Sequence, residues 1–147
     1  MDYQEINWKL QGLAEAKDWY ITLLSNASAL LFEELKDLNW AGFYLMRDNE
    51  LQLGPFQGKV ACTHIAVGRG VCGTAVAQDQ TQLVEDVHAF PGHIACDSQS
   101  ASEIVIPIHQ DGKIWGVLDI DSPVKARFTK EDQEGLEAFV RILEESL

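Results

Sequence analysis

Basic residues are scarce in this sequence. Across 147 residues, 11 lysines and arginines stand against 23 aspartates and glutamates, for a net charge of −12. The basic residues are scattered singly and form no patch, which argues against nucleic acid or an anionic membrane surface as partner. No apolar run approaches the ~18 residues of a membrane span. The start, Met1-Asp2-Tyr3-Gln4-Glu5, shows neither a basic region nor an apolar segment of a secretion signal. A soluble, cytoplasmic protein is therefore expected. There is no low-complexity run, no internal repeat and no linker. With 46% apolar residues the chain can bury the core of one domain.

Cysteines are also few. Cys62, Cys72 and Cys96 make an odd count, which speaks against a structural disulfide framework in a cytosolic protein. No CxxC knuckle is present. Cys62-Thr63-His64 and the pair His93/Cys96 supply ligand types without zinc-site spacing, so no metal or other cofactor is expected. All three cysteines can be read as small buried hydrophobes or as reactive thiols.

Residues from Tyr3 to Asp37 carry apolar positions at three- and four-residue steps and are expected to be helical. Ser25-Asn26-Ala27-Ser28 is the expected break between two helices. Trp40 to Met46 reads as a strand, Arg47-Asp48-Asn49-Glu50 as a turn, and Leu51 to Phe56 as the hairpin partner. Val60 to Val67 is a third expected strand, carrying Cys62. A tight Gly68-Arg69-Gly70 loop and a short helix from Cys72 to Gln78 follow, then a strand from Thr81 to Val84. Glu85 to Ser102 is a long polar loop holding Cys96, and such loops are usually functional when they occur inside a compact domain. Glu103 to His109 and Lys113 to Asp121 form a hairpin around Asp111-Gly112. Thr129 caps the last helix with Asp132 at its third position. The order predicts a single α+β domain, with N-terminal helices over 1–38. A mainly antiparallel sheet, the loops and a C-terminal helix fill 39–147.

The hairpin places the start of its first strand beside the end of its second, so Glu103, Asp119 and Asp121 gather at one sheet end. These acids either cap loops and face solvent, or form a negative pocket for an ammonium group, one member holding a proton through a raised pKa. Trp40 and Tyr44 share a strand face and either pack in the core or wall a pocket for a small apolar group such as a methyl thioether.

Several runs carry a resemblance: Asn39-Trp40-Ala41-Gly42-Phe43-Tyr44, Leu51-Gln52-Leu53-Gly54-Pro55-Phe56-Gln57-Gly58, Ala61-Cys62 and Gly68-Arg69-Gly70-Val71-Cys72-Gly73. With Val84-Glu85-Asp86-Val87, Phe90-Pro91-Gly92-His93-Ile94-Ala95-Cys96-Asp97 and Gly116-Val117-Leu118-Asp119-Ile120-Asp121-Ser122-Pro123, they resemble the free methionine-(R)-sulfoxide reductase family over nearly the whole chain. All three cysteines fall on family positions. The resemblance implies a GAF fold and thiol-dependent reduction of free methionine-(R)-sulfoxide, with Cys96 attacking, Cys72 the main resolving cysteine and Cys62 auxiliary. It further implies that Glu103, Asp119 and Asp121 hold the amino group and the sulfoxide oxygen, and that Trp40 and Tyr44 line the pocket around the methyl. Thioredoxin as reductant and a homodimer are also expected. Two rivals are a non-catalytic GAF sensor and an interaction module with buried cysteines. Sensor domains usually sit in chains with output domains, and thiol titration in the presence of methionine sulfoxide separates the three.

Overall fold

A computed structural model describes residues 2–93 and 98–147. The elements run α1 (Tyr3–Ala14), α2 (Tyr20–Glu34), β1 (Trp40–Arg47), β2 (Glu50–Gly58), β3 (His64–Ala66), α3 (Gly70–Gln78), β4 (Gln82–Val84), β5 (Ser102–Gln110), β6 (Lys113–Ser122) and α4 (Lys130–Ser146). A single 3-10 turn, Val87–Ala89, follows β4. The six strands form one sheet in the order β3-β2-β1-β6-β5-β4, every neighbouring pair antiparallel. The expected α+β architecture is the observed one.

The strands at the centre of the sheet are buried on both faces, and alternate residues serve two separate cores. Ala41 and Phe43 of β1, Ile104, Ile106 and Ile108 of β5, and Leu118 and Ile120 of β6 pack against the three long helices. The intervening residues Trp40, Tyr44, Val105 and Val117 face the other way and pack with Val71, Cys72 and Ala75 of α3. This division follows from the two-residue period of a strand.

Each long helix contributes an apolar stripe, Tyr3, Ile6 and Leu10 on α1 and Leu136, Phe139, Val140 and Leu143 on α4. Asp2 caps α1 by accepting from the Glu5 amide, and Thr129 with Asp132 forms a reciprocal capping box at the start of α4, as expected. The Tyr3 hydroxyl donates to Asp132 Oδ1 at 2.5 Å, fastening α1 to α4.

The N-terminal helices break elsewhere than expected. Ser25 and Ser28 stay inside α2, their hydroxyls donating to the carbonyls of Ile21 and Leu24 one turn back. The interruption falls at residues 15–19, where Lys17 takes a left-handed φ of 53°. The third strand is also shorter than expected. Only His64–Ala66 pairs with β2, so Cys62 sits in the irregular segment before it. Among the described residues, no helix is long and apolar enough to cross a membrane.

Candidate active site

A pocket opens on the face of the sheet opposite the three long helices. Trp40 and Tyr44 of β1, Glu103 of β5, Asp119 and Asp121 of β6, and Cys72 at the start of α3 line it. Its cavity volume is about 50 Å³, and it is partly open to solvent.

A register shift brings the acids together. Gln110 pairs with Lys113 across the Asp111-Gly112 turn. Unbroken pairing from that turn would set Glu103 opposite Ile120, on the helix-facing side. Between Ile108 and His109 the register moves by one, inserting Trp115 as an extra residue, and Glu103 then lies opposite Asp121 and Val105 opposite Asp119. Directly opposed residues share a face, so this single bulge turns all three carboxyls into the pocket.

Glu103 and Asp119 are 7% and 5% exposed. Burial, reinforced by mutual repulsion, pushes the carboxyls of Glu103 and Asp121 well above the ordinary range. Burial raises Asp119 as well, but hydrogen bonds from Glu103, Cys72 and Asp121 oppose the rise. Asp119 is thus the hydrogen-bond acceptor at the centre of the cluster. Asp119 Oδ1 and Asp121 Oδ1 are shut off from solvent without a hydrogen-bond partner. Buried carboxylate oxygens left in this state are costly, and a cationic donor in the pocket satisfies them.

Trp40 and Tyr44 stack at 5.7 Å between centroids, and Phe56 stacks on Trp40 at 5.1 Å. Phe56 reaches this position because Gly42 lies beneath it, where a Cβ would come within 2.3 Å of Phe56 Cβ. The aromatic pair also fixes the segment over the pocket. Trp40 Nε1 donates to the Lys59 carbonyl at 3.2 Å, and the Tyr44 hydroxyl donates to the Cys62 carbonyl at 2.9 Å.

Of the three cysteines, Cys96 lies outside the described residues. Cys72 is buried with a free thiol, and burial beside Asp119, Glu103 and Asp121 raises its pKa well above the ordinary value. Cys62 is half-buried and disulfide-bonded. The resemblance implied Cys72 as the main resolving partner, whereas here the bonded cysteine is Cys62. A thiol among carboxylates makes a poor thiolate, and Cys72 is the cysteine with the free thiol.

The GAF domain family matches residues 20–147. The free methionine-R-sulfoxide reductase of Escherichia coli K12 is 56% identical over 99% of this chain and 88% of its own length. The chain belongs to the free methionine-R-sulfoxide reductase family. A solved structure of this family, fRMsr of Staphylococcus aureus in reduced form, superposes with a TM-score of 0.97 at 55% identity, covering 99% of this chain and 95% of that one. The same protein in complex with substrate gives a TM-score of 0.95 at 54% identity over the same shares.

Sequence reasoning passed over several residues at this reductase-family pocket: Arg69, Val60, Ala61, Ile65 and Ser100 line it, and Phe56 stacks on its Trp40 wall. Phe56 left a trace in the glycine at position 42, which makes room for it. Ser100, which accepts from Asn39 Nδ2 at 3.0 Å and hydrogen bonds to Asp121, left none, since a serine in a polar loop is unremarkable.

Proposed function

We infer that this protein reduces free methionine-R-sulfoxide to methionine. The observation that carries the reading is the pair of unpartnered, buried carboxylate oxygens on Asp119 and Asp121 beside an aromatic wall. A free amino acid offers an ammonium group to those oxygens, while a methionine sulfoxide residue inside a polypeptide offers only an uncharged amide. The charge requirement therefore selects the free form. Trp40 and Tyr44 take the methyl thioether end, where aromatic faces and sulfur interact favourably.

The chemistry follows from the two kinds of group. The Cys96 thiolate attacks the sulfoxide sulfur. The oxygen is transferred to Cys96 with a proton supplied by a neutral carboxyl, so that methionine leaves and a sulfenic acid remains. Glu103 suits the donor role, because burial and the neighbouring Asp119 and Asp121 favour its protonated form. The sulfenic acid then condenses with the Cys62 thiol, releasing water and forming a disulfide. A dithiol protein of the thioredoxin type reduces that disulfide by exchange and is itself oxidised. The disulfide at Cys62 and the free thiol at Cys72 support giving the resolving role to Cys62. The exposed rings of Trp8 on α1 and Trp19 just before α2, 73% and 67% accessible, support self-association as a homodimer.

The test is an assay with the separated R and S epimers of free methionine sulfoxide and with the N-acetyl amide of the R epimer. Reduction of the free R epimer alone is expected. Equal turnover of the amide would overturn the acidic-pocket reading. Cys96→Ser is expected to abolish turnover, and Cys62→Ser to release about one methionine per site and stall with thioredoxin. If Cys72→Ser stalls in that way and Cys62→Ser does not, the resolving roles revert.

A further inference from the structure

The proposed reaction leaves one buried nucleophile unused. Cys72 has a free thiol, 4% exposed, in the floor of the substrate pocket. Its Sγ, one oxygen of Glu103 and one of Asp119 lie within 4.8 Å of one another. A tetrahedral divalent ion with bonds of about 2.3 Å to sulfur and 2.0 Å to oxygen holds its ligand atoms roughly 3–4 Å apart, so small side-chain movements bring the three onto one ion.

We propose that Cys72, Glu103 and Asp119 form a binding site for a thiophilic divalent cation of the zinc class, and that the ion blocks the pocket against substrate. Asp119 is nine-tenths buried, lines the pocket, and keeps Oδ1 without a partner, which is the second feature that calls for a cation there. One sulfur and two carboxylate oxygens suit zinc or cadmium, whereas magnesium and calcium favour all-oxygen shells. Asp121 and His93 line the same pocket, outside the 4.8 Å cluster of the three ligands. An ion there replaces the protons on the thiol and carboxyl and occupies the place assigned above to the ammonium group. It is an inhibitor of the proposed reaction, not a participant in it.

Metal binding stands on the geometry of the three ligands. Competition with substrate rests on the proposed function, and two separate readouts keep them apart. The first titrates cadmium ion into the disulfide form of the chain, prepared so that thiol titration finds one free cysteine, with no substrate present. A thiolate-to-metal charge-transfer band saturating at one cadmium per chain is expected. It should vanish in Cys72→Ser and Cys72→Ala, and the apparent affinity should fall at least tenfold in Asp119→Asn, with circular dichroism as folding control. Absence of the band in the unmodified chain, or its persistence in both Cys72 variants, overturns the site. The second readout is steady-state reduction at fixed zinc concentrations. A rise in KM with kcat unchanged is expected. A fall in kcat at constant KM, with the cadmium band intact, means that the ion binds at this site but the ammonium group does not, and overturns the blocking role.

Discussion

Replacing Glu103 by glutamine is expected to make the protein more stable and less active at once. Glu103 is 7% exposed and shares its surroundings with Asp119 and Asp121, so its carboxyl stays protonated in the folded state at pH values where the unfolded chain has already released the proton. A group with a raised folded pKa binds more protons folded than unfolded, and stability falls as pH rises above the unfolded value. From an unfolded value near 4.3, the ceiling at pH 7 is about 3.7 kcal/mol, at about 1.4 kcal/mol per pH unit. Glutamine has no proton to lose and escapes that penalty. If half of it survives repacking, the gain is about 2 kcal/mol, a rise in Tm of roughly 4–8 °C for a chain of this size. The amide still donates and accepts hydrogen bonds but cannot transfer a proton, so kcat is expected to fall by about 10²–10⁴ with KM little changed. Thermal unfolding between pH 5 and 8 should show the unmodified protein losing stability more steeply than the variant, by about one proton. If the variant is less stable, or the two pH slopes coincide, Glu103 is ionised in the folded state and cannot be the proton donor.

Three other perturbations test separate parts of the structure. Gly42→Ala puts a methyl group 2.3 Å from Phe56 Cβ and within 2.8 Å of the Phe56 and Pro55 backbone, so β2 must give way and carry Phe56 off its stack on Trp40; KM is expected to rise about tenfold, equivalent to about 1.4 kcal/mol of lost pocket contact, alongside a lower Tm, and an unchanged KM would show that the wall does not depend on Phe56. Gly135→Ala meets the ring of Tyr3 at 2.2 Å and breaks the packing of α1 on α4; a loss of about 1–3 kcal/mol is expected from overpacking, read as a lower Tm in chemical or thermal denaturation, and a neutral result would refute the tight contact. His109 bonds Asp79 through Nε2 at 2.6 Å and Glu144 through Nδ1 at 3.3 Å, and these carboxylates raise its pKa although burial opposes them. Its contribution is fully present below about pH 6.5 and is lost as pH rises through the folded value, so His109→Gln should narrow the stability difference between pH 6 and pH 8. Proton-detected titration of the imidazole below its ordinary value would contradict this.

Much of the fold was legible because local signals agreed with one another. Asp111-Gly112 fixed the β5–β6 hairpin, Thr129 and Asp132 fixed the start of α4, and strand alternation separated the two faces. The interruption between α1 and α2 was misread because Ser25 and Ser28 find acceptors one turn back, while Lys17, a good helix former, adopts a left-handed conformation that its chemistry does not announce. The gathering of the acids at one sheet end followed from the hairpin. Their common face depended on the bulge at Trp115, which is no turn residue and does not reveal it. The pairing state of the cysteines was not legible at all, since spacing along the chain does not say which thiol is walled in by carboxylates.

The alternation along β5 and β6 has a consequence for how such a domain changes its ligand. Ile104 follows Glu103, and Leu118 and Ile120 flank Asp119, so residues that hold the sheet on its helices are interleaved one for one with residues that line the pocket. Two messages share one stretch of sequence, on odd and even positions. Point substitutions at the pocket positions can rewrite specificity while the helix-side core remains intact, which lets one scaffold be retuned to new small molecules. Single-residue insertions or deletions have no such freedom. One of them within β6, upstream of Asp119, would drive carboxylates into the helix-side core and leucines into the pocket, losing scaffold and specificity together.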